Sequence, residues 1–472
     1  MVKTPSKKPA SNVFIRQLHS LLQMLYHPSQ PQQSLFGLMR AYFQQDEGAL
    51  AELQQTEQRW RQARADKDPA LSDYRRRYTA LSHQLEQQRL QRLEQTISCC
   101  EQLLQLCEGE SKAETLMRSA RLLGSLQLLV PTESKRSLEV QFSYKLLYKM
   151  TLTLRLLQHR LEQELMPASW QLIWQARQPE AALHCPYRNH LQLPVLLAVM
   201  LQEYGQLHDA AQRLLFNAER RLDPLTELDN EARYQFLLQS HQGSLALLRH
   251  GLGAWPYQGK DKADRLRHEQ QQQTQQQWIT ELLEAAQVAG QGRGNLLKVP
   301  QVYASIVMPG RKRFNYEALP KAALLLRQGV QQQQYSADWV DQLLRITGLF
   351  PQGYGLAFIP SKPSPKGRDK YEFAIVNALY PAEPHVPQCR VVTRDLQYRN
   401  TGKDCLVPTA QNLYFRPARK QLEVVPQERL REILTKLFAD AEQRFLRQWL
   451  PRCWQPNDFF SQPAHQNLWN KG

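Results

Sequence analysis

The chain has 472 residues, of which 42% are hydrophobic, so it is long enough for two or three domains with real cores. Sixty Lys and Arg against 44 Asp and Glu leave a formal charge of +16, which favours anionic partners such as nucleotides, nucleic acid or acidic proteins without choosing among them. Composition argues against a membrane span, because the longest purely apolar run, Pro194 to Leu201, is far short of the roughly 20 residues such a span needs.

The first twelve residues, Met1 to Asn12, are basic and lack the apolar core of a secretory signal, so they are expected to form a disordered tail on a cytoplasmic protein. Seven cysteines with no CxxC spacing fit neither a disulfide framework nor a zinc site and read as reduced thiols.

Residues 13–135 are expected to make an N-terminal helical domain. Leu18, Leu21, Leu22 and Leu25 mark a first amphipathic helix, and His27 to Pro31 breaks it. A helix from Ser34 to Phe43 follows. Ala49–Ala65 and Tyr74–Leu106 then predict two long antiparallel helices, a hairpin of the kind used for packing or for homodimerisation. A turn at Glu108–Lys112 leads to a helix at Leu116–Leu129, and Glu139–Leu165 predicts another. From Pro167 the helices become more apolar, clearest at Trp170–Gln178, Leu193–Leu207 and Asn230–His250. Gly251–Lys260 reads as a loop. A Gln-rich run at Glu269–Gln277, taken as solvent-facing filler, leads into a helix at Trp278–Val288, and glycines close it at Gly290–Gly294.

The next stretch predicts a helix at Val299–Val307, three cations at Arg311, Lys312 and Arg313, a helix from Leu319-Pro320, and a third helix with Ser336 at its N-cap. After Gly355 the pattern alternates. Leu356 and Phe358, Tyr371 to Ile375, Val391 and Val392, Leu413 and Phe415, and Leu422 to Val425 read as short strands of a small β module over residues 356–426. A C-terminal helix over 427–450 and an irregular tail over 451–472 complete a mainly α protein.

The segment from about Glu139 to Arg394 resembles the HD-GYP family, bacterial metal-dependent phosphodiesterases that hydrolyse cyclic di-GMP. Gln202-Glu203-Tyr204-Gly205-Gln206 stands where the family has His-Asp-x-Gly-Lys, and His241 in LLQSHQGSLALL matches a later family His. Arg267-His268-Glu269 resembles the His-His-Glu element. Gln301-Val302-Tyr303, with Arg311 to Arg313 after it, resembles the Asp-x-Tyr helix and its basic loop. Gly348-Leu349-Phe350-Pro351-Gln352-Gly353 resembles the closing motif of the family domain, here spanning 139–355.

The resemblance implies a metal site at these positions, with Glu203, His241 and His268 as its surviving ligands. Gln202, Arg267 and Gln301 replace the others with neutral amides and a permanent cation, so the implied protein is a catalytically silent regulator that needs no cofactor. An iron or manganese ion belongs only to the alternative, an active cyclic di-GMP phosphodiesterase. The implied partners are cyclic di-GMP or a protein, with phosphate contacts from Arg311, Lys312, Arg313 and Tyr316. Taken alone, His241 reads as a structural histidine and His268-Glu269 as a solvated helix start. Nucleic-acid binding is a third reading, resting on the basic charge, on Lys362, Lys366, Arg368 and Lys370, and on Arg416, Arg419 and Lys420 after Tyr414-Phe415.

Overall fold

The computed structural model describes residues 12–131, 138–178, 185–216, 228–290, 292–310, 314–360, 370–400, 402–437, 441–442 and 450–469. The tail before Asn12, the triple cation Arg311–Arg313, and Lys362, Lys366 and Arg368 therefore lie outside the described residues. The rest is mainly α with a small antiparallel β module.

Helix α1, Val13–Leu25, ends ahead of the break at His27-Pro28. Helix α2, Leu35–Ala41, is capped by Ser34, whose hydroxyl oxygen accepts the Gly37 N–H. The long hairpin is present as α3, Glu47–Asp66, and α4, Leu71–Cys107, bridged by a Trp60–Tyr78 stack at 5.2 Å and an Arg77–Glu52 ion pair. Ser111 caps α5, Lys112–Leu129, and α6 follows at Leu138–Glu162. Then come α7, Ala168–Gln175; α8, Leu193–Tyr204; α9, Asp209–Phe216; and α10, Asn230–Ala246.

The glutamine run and the helix expected after it are one element, α11, Lys262–Gln287. Glutamine is a good helix former, and Asp261 starts the helix by accepting the Asp264 N–H, so nothing separates the two segments. Helix α12 is Asn295–Val307, α13 is Ala322–Gln331 and α14 is Ala337–Thr347, with Ser336 at the N-cap position.

The β module has one antiparallel sheet in the order β1 (Gly355–Phe358), β2 (Glu372–Val376), β3 (Gln388–Val391) and β6 (Asp404–Leu406). Strands β4 (Thr393–Arg394) and β5 (Gln397–Tyr398) form a hairpin whose two turn residues, Asp395 and Leu396, both have positive φ, as a type I′ turn requires. Two expected strands are absent. Leu413 donates its N–H to Ala357 O beside β1, and the next residues start α15, Arg416–Leu422, with Pro417 in its first turn, so Leu422 closes a helix. Helix α16 is described over Gln427–Leu437, and the rest of the expected C-terminal helix lies mostly outside the described residues.

The tail after Pro451 is built into the fold instead of being irregular. Trp454 stacks on Phe373 at 4.8 Å and donates its N–H to Gly355 O, which covers the outer edge of β1. Helix α17, Asn457–Ser461, buries Phe459 and Phe460, and Leu468 and Trp469 are buried after it.

The chain divides into two compact units built from interleaved segments. One comprises Met1–His19, Leu104–Leu165 and Lys298–Gly472, and the other Ser20–Leu103 and Met166–Leu297. Each unit draws on segments that lie far apart along the chain. Periodicity identifies which face of a helix must be buried, and says nothing of which distant segment covers it.

In the first unit α6 is buried nearly all round. Leu146, Leu147, Leu152, Leu154, Leu156 and Leu157 are inaccessible, and even Lys149 and Arg155 are almost wholly enclosed. Arg155 pairs with Glu108 and donates to Gln158, and Arg160 donates to Asp338 at 2.5 Å while lying 3.7 Å over the Trp339 ring. Buried cations need such partners. The segment closing α14 is held by glycine geometry: Gly353 has φ +86, and a Cβ there would lie 2.8 Å from Gly124 O of α5. Among the described residues no helix is long and apolar enough to cross a membrane.

Candidate functional site

The second unit holds Gln202, Glu203, His241, Arg267 and His268, whereas Gln301 lies on α12 within the first. Helix α8 is apolar on every side, so its one acid, Glu203, is 2% exposed and accepts a hydrogen bond from Gln206 Nε2 at 3.2 Å. The helix ends at Gly205, where α10 comes very close. A Cβ on Gly205 would lie 2.2 Å from Ser244 Oγ and 2.3 Å from Ser240 O. Ser244 Oγ in turn sits 2.9 Å from the carbonyls of Leu201 and Ser240. The family-like Tyr-Gly pair therefore marks a helix crossing that only glycine permits.

His241 projects from α10 beside this crossing. Burial lowers its pKa below the usual histidine value, against a smaller upward pull from the charge of Glu284 near the end of α11. Its Nδ1 is buried with no hydrogen-bond partner among the described residues. It is a half-buried imidazole whose neutral form is favoured by burial.

His268 stands elsewhere. It lies 16 residues before Glu284 on α11, about 24 Å along the axis at a rise of about 1.5 Å per residue. Its Nε2 is 2.9 Å from the Trp255 carbonyl, and since a carbonyl only accepts, this nitrogen carries the proton and has no lone pair for a metal. Arg267 is 72% exposed and pairs with Asp264. The ligand set implied by the family resemblance is thus corrected. Glu203, His241 and His268 do not gather, and the α11 residue whose charge reaches His241 is Glu284. Among the described residues no group of three or more His, Cys, Asp or Glu is placed to hold a metal ion.

Three further expectations change. Tyr316 was placed with the basic loop, but its ring is 5% exposed, stacks on Tyr354 at 5.0 Å, and accepts the Gly355 N–H at 2.8 Å through its hydroxyl oxygen. Burial holds its phenol well above the usual pKa. Lys370, grouped with the loop cations, is enclosed and paired with Asp395 and Glu372. Arg419 donates to the carbonyls of Leu413 and Tyr414 at 2.6 and 2.7 Å, so it stabilises its own turn.

The concave surface that His268 does help to build is a cleft of about 680 Å³ between the 254–262 loop and the first half of α11. The loop is clamped from two sides. From α4, Arg89 donates to the carbonyls of Leu252 and Ala254, and Arg92 Nε donates to Gly251 O at 2.9 Å. From α11, His268 and Gln272, one turn apart on one face, take the two backbone groups of Trp255, with its N–H donated to Gln272 Oε1 at 3.1 Å. Gly253 supplies the required left-handed turn at φ +61. Trp255, Tyr257, Lys260, Lys262 and Arg265 line the cleft with the amides of Gln272, Gln273 and Gln276.

In the sequence Gly251–Lys260 has the composition of a plain loop and the glutamines that of solvent-facing filler. The available signal was the four-residue spacing of His268 and Gln272 facing a loop with two aromatics. Compared with family models, curated proteins and solved structures, the chain finds no match.

Proposed function

We propose that this chain is a catalytically silent relative of the HD-GYP phosphodiesterases, a regulatory or scaffold protein of bacterial signalling that recognises cyclic di-GMP or a protein partner and does not hydrolyse the nucleotide. The observation that carries this reading is the placement of His268 about 24 Å along α11 from Glu284, the residue whose charge reaches His241. Phosphodiester hydrolysis on two metals needs imidazoles and carboxylates converging on one place. Gln202, Arg267 and Gln301 supply amides and a cation instead, and Glu203 is turned toward Gln206. The Gly348–Gly353 segment, which resembles the closing motif of the family, suits a protein that keeps an inherited scaffold for binding.

The test is incubation of the full chain with cyclic di-GMP and added Mn²⁺ or, without air, Fe²⁺. The nucleotide is expected to survive intact. Release of linear dinucleotide or GMP that disappears in a His241→Ala variant would overturn the reading.

A further inference from the structure

We propose that the cleft between the 254–262 loop and α11 is a binding site for a small nucleotide, with the base against Trp255 and Tyr257 and the phosphate at Lys260, Lys262 and Arg265. The five residues that would touch the nucleotide, Trp255, Tyr257, Lys260, Lys262 and Arg265, are not among those the family resemblance maps, so the inference stands whether or not the chain is catalytically silent.

The chemistry is a complementary set. Aromatic side chains stack on any base, cations take phosphate oxygens, and glutamine amides offer both a donor and an acceptor to a base edge. All three kinds line one cleft of about 680 Å³, within the range of about 300–1,000 Å³ typical of small-molecule sites. The cleft is also preorganised. Arg89 and Arg92 hold the loop from one side, and His268 and Gln272 hold both backbone groups of Trp255, so the main chain that carries the aromatic residues has little ordering left to do. Tyr257 forms a second wall, with its ring 5.8 Å from the His268 imidazole and its phenol folded over Gly259, where a Cβ would lie 2.1 Å from the hydroxyl.

The acids of the lining have partners within the cleft itself. Asp261 accepts the Asp264 N–H, and Glu269 accepts from Arg265 Nε at 2.8 Å. Their presence still keeps the cleft from being uniformly basic, which suits a ligand with one or two phosphates better than a polynucleotide track.

The experiment is calorimetric titration of the full chain with GMP, AMP and cyclic di-GMP, and with a short oligouridylate. At least one of the three small nucleotides is expected to bind. Lys262→Glu, a substitution of an exposed residue that leaves the fold intact, is expected to weaken that binding by about tenfold, and Trp255→Ala by at least as much. His241→Gln is expected to leave it unchanged. The proposal is overturned if none of the three gives heat, if Lys262→Glu leaves the affinity within about twofold, or if His241→Gln removes binding that Trp255→Ala retains. Oligouridylate binding tighter than every small nucleotide, and lost in Lys262→Glu, would also overturn it in favour of a single-strand site.

Discussion

Two histidines meet helix α11 near its two ends, and their surroundings give them opposite physics. At the C-terminal end His241 stands half-buried on α10 beside a glycine crossing, where burial lowers its pKa and the acid it feels is Glu284. At the N-terminal end His268 faces a polar cleft and spends its Nε2 proton on the Trp255 carbonyl. The first is a matter of close packing, the second of loop positioning. A histidine's chemistry is set by which nitrogen remains free and by how much water reaches it. With His268 about 24 Å along α11 from the acid that His241 feels, the two rings do not reach one ion.

Three perturbations sharpen this contrast, and the largest acts on the packed end. Gly205→Ala drives a Cβ into Ser244 Oγ and Ser240 O, both on α10, and the overpacking is expected to cost about 2–3 kcal/mol. Urea denaturation measures it, and an unchanged midpoint would show that the crossing is loose.

His268→Ala comes next. It removes one hydrogen bond and leaves the Trp255 carbonyl to water, a loss of about 1 kcal/mol. Its signature is local: amide hydrogens of residues 253–257 should exchange faster while those of α8 and α10 stay as they were. Uniform acceleration across the second unit would mean that His268 serves the core after all.

The smallest effect is the pH dependence at His241. Its pKa in the folded chain lies below the 6.5 of the unfolded chain, so between the two values the unfolded state binds more protons. Its contribution is therefore complete above 6.5 and is eroded as pH falls through 6.5 toward the lowered value. His159 adds in the same sense, since burial outweighs its hydrogen bond with Gln342. Replacing His241 with Gln should make the fall in stability below about pH 6.5 shallower without abolishing it, and an identical slope in the variant would place His241 in water.

Much of the helical fold is legible in the residues themselves. The break at His27-Pro28, the hairpin of α3 and α4, the apolar α8, and the glycines after α11 follow from periodicity and from the backbone limits of Pro and Gly. The short strands β1, β2 and β3 are equally visible as alternating apolar runs. Leu413–Phe415 misled because one strand-like triplet does not reveal that Pro417 begins a helix. The tail from Trp454 to Trp469 was illegible for another reason: its order comes from contacts with Phe373, Gly355 and Leu128, far away along the chain.

The candidate site divides along the same line. Residue types alone established that Gln202, Arg267 and Gln301 are poor substitutes for metal ligands, because charge and donor chemistry belong to the side chain wherever it stands. Which groups face each other was decided only by the tertiary structure. Motif order placed His268 beside His241, whereas the length of α11 carries it about 24 Å from Glu284 and sets it under the Trp255 loop. A helix conveys a residue a fixed rise for every position along the chain, so an offset of a few turns in where a motif is read becomes a different site in space.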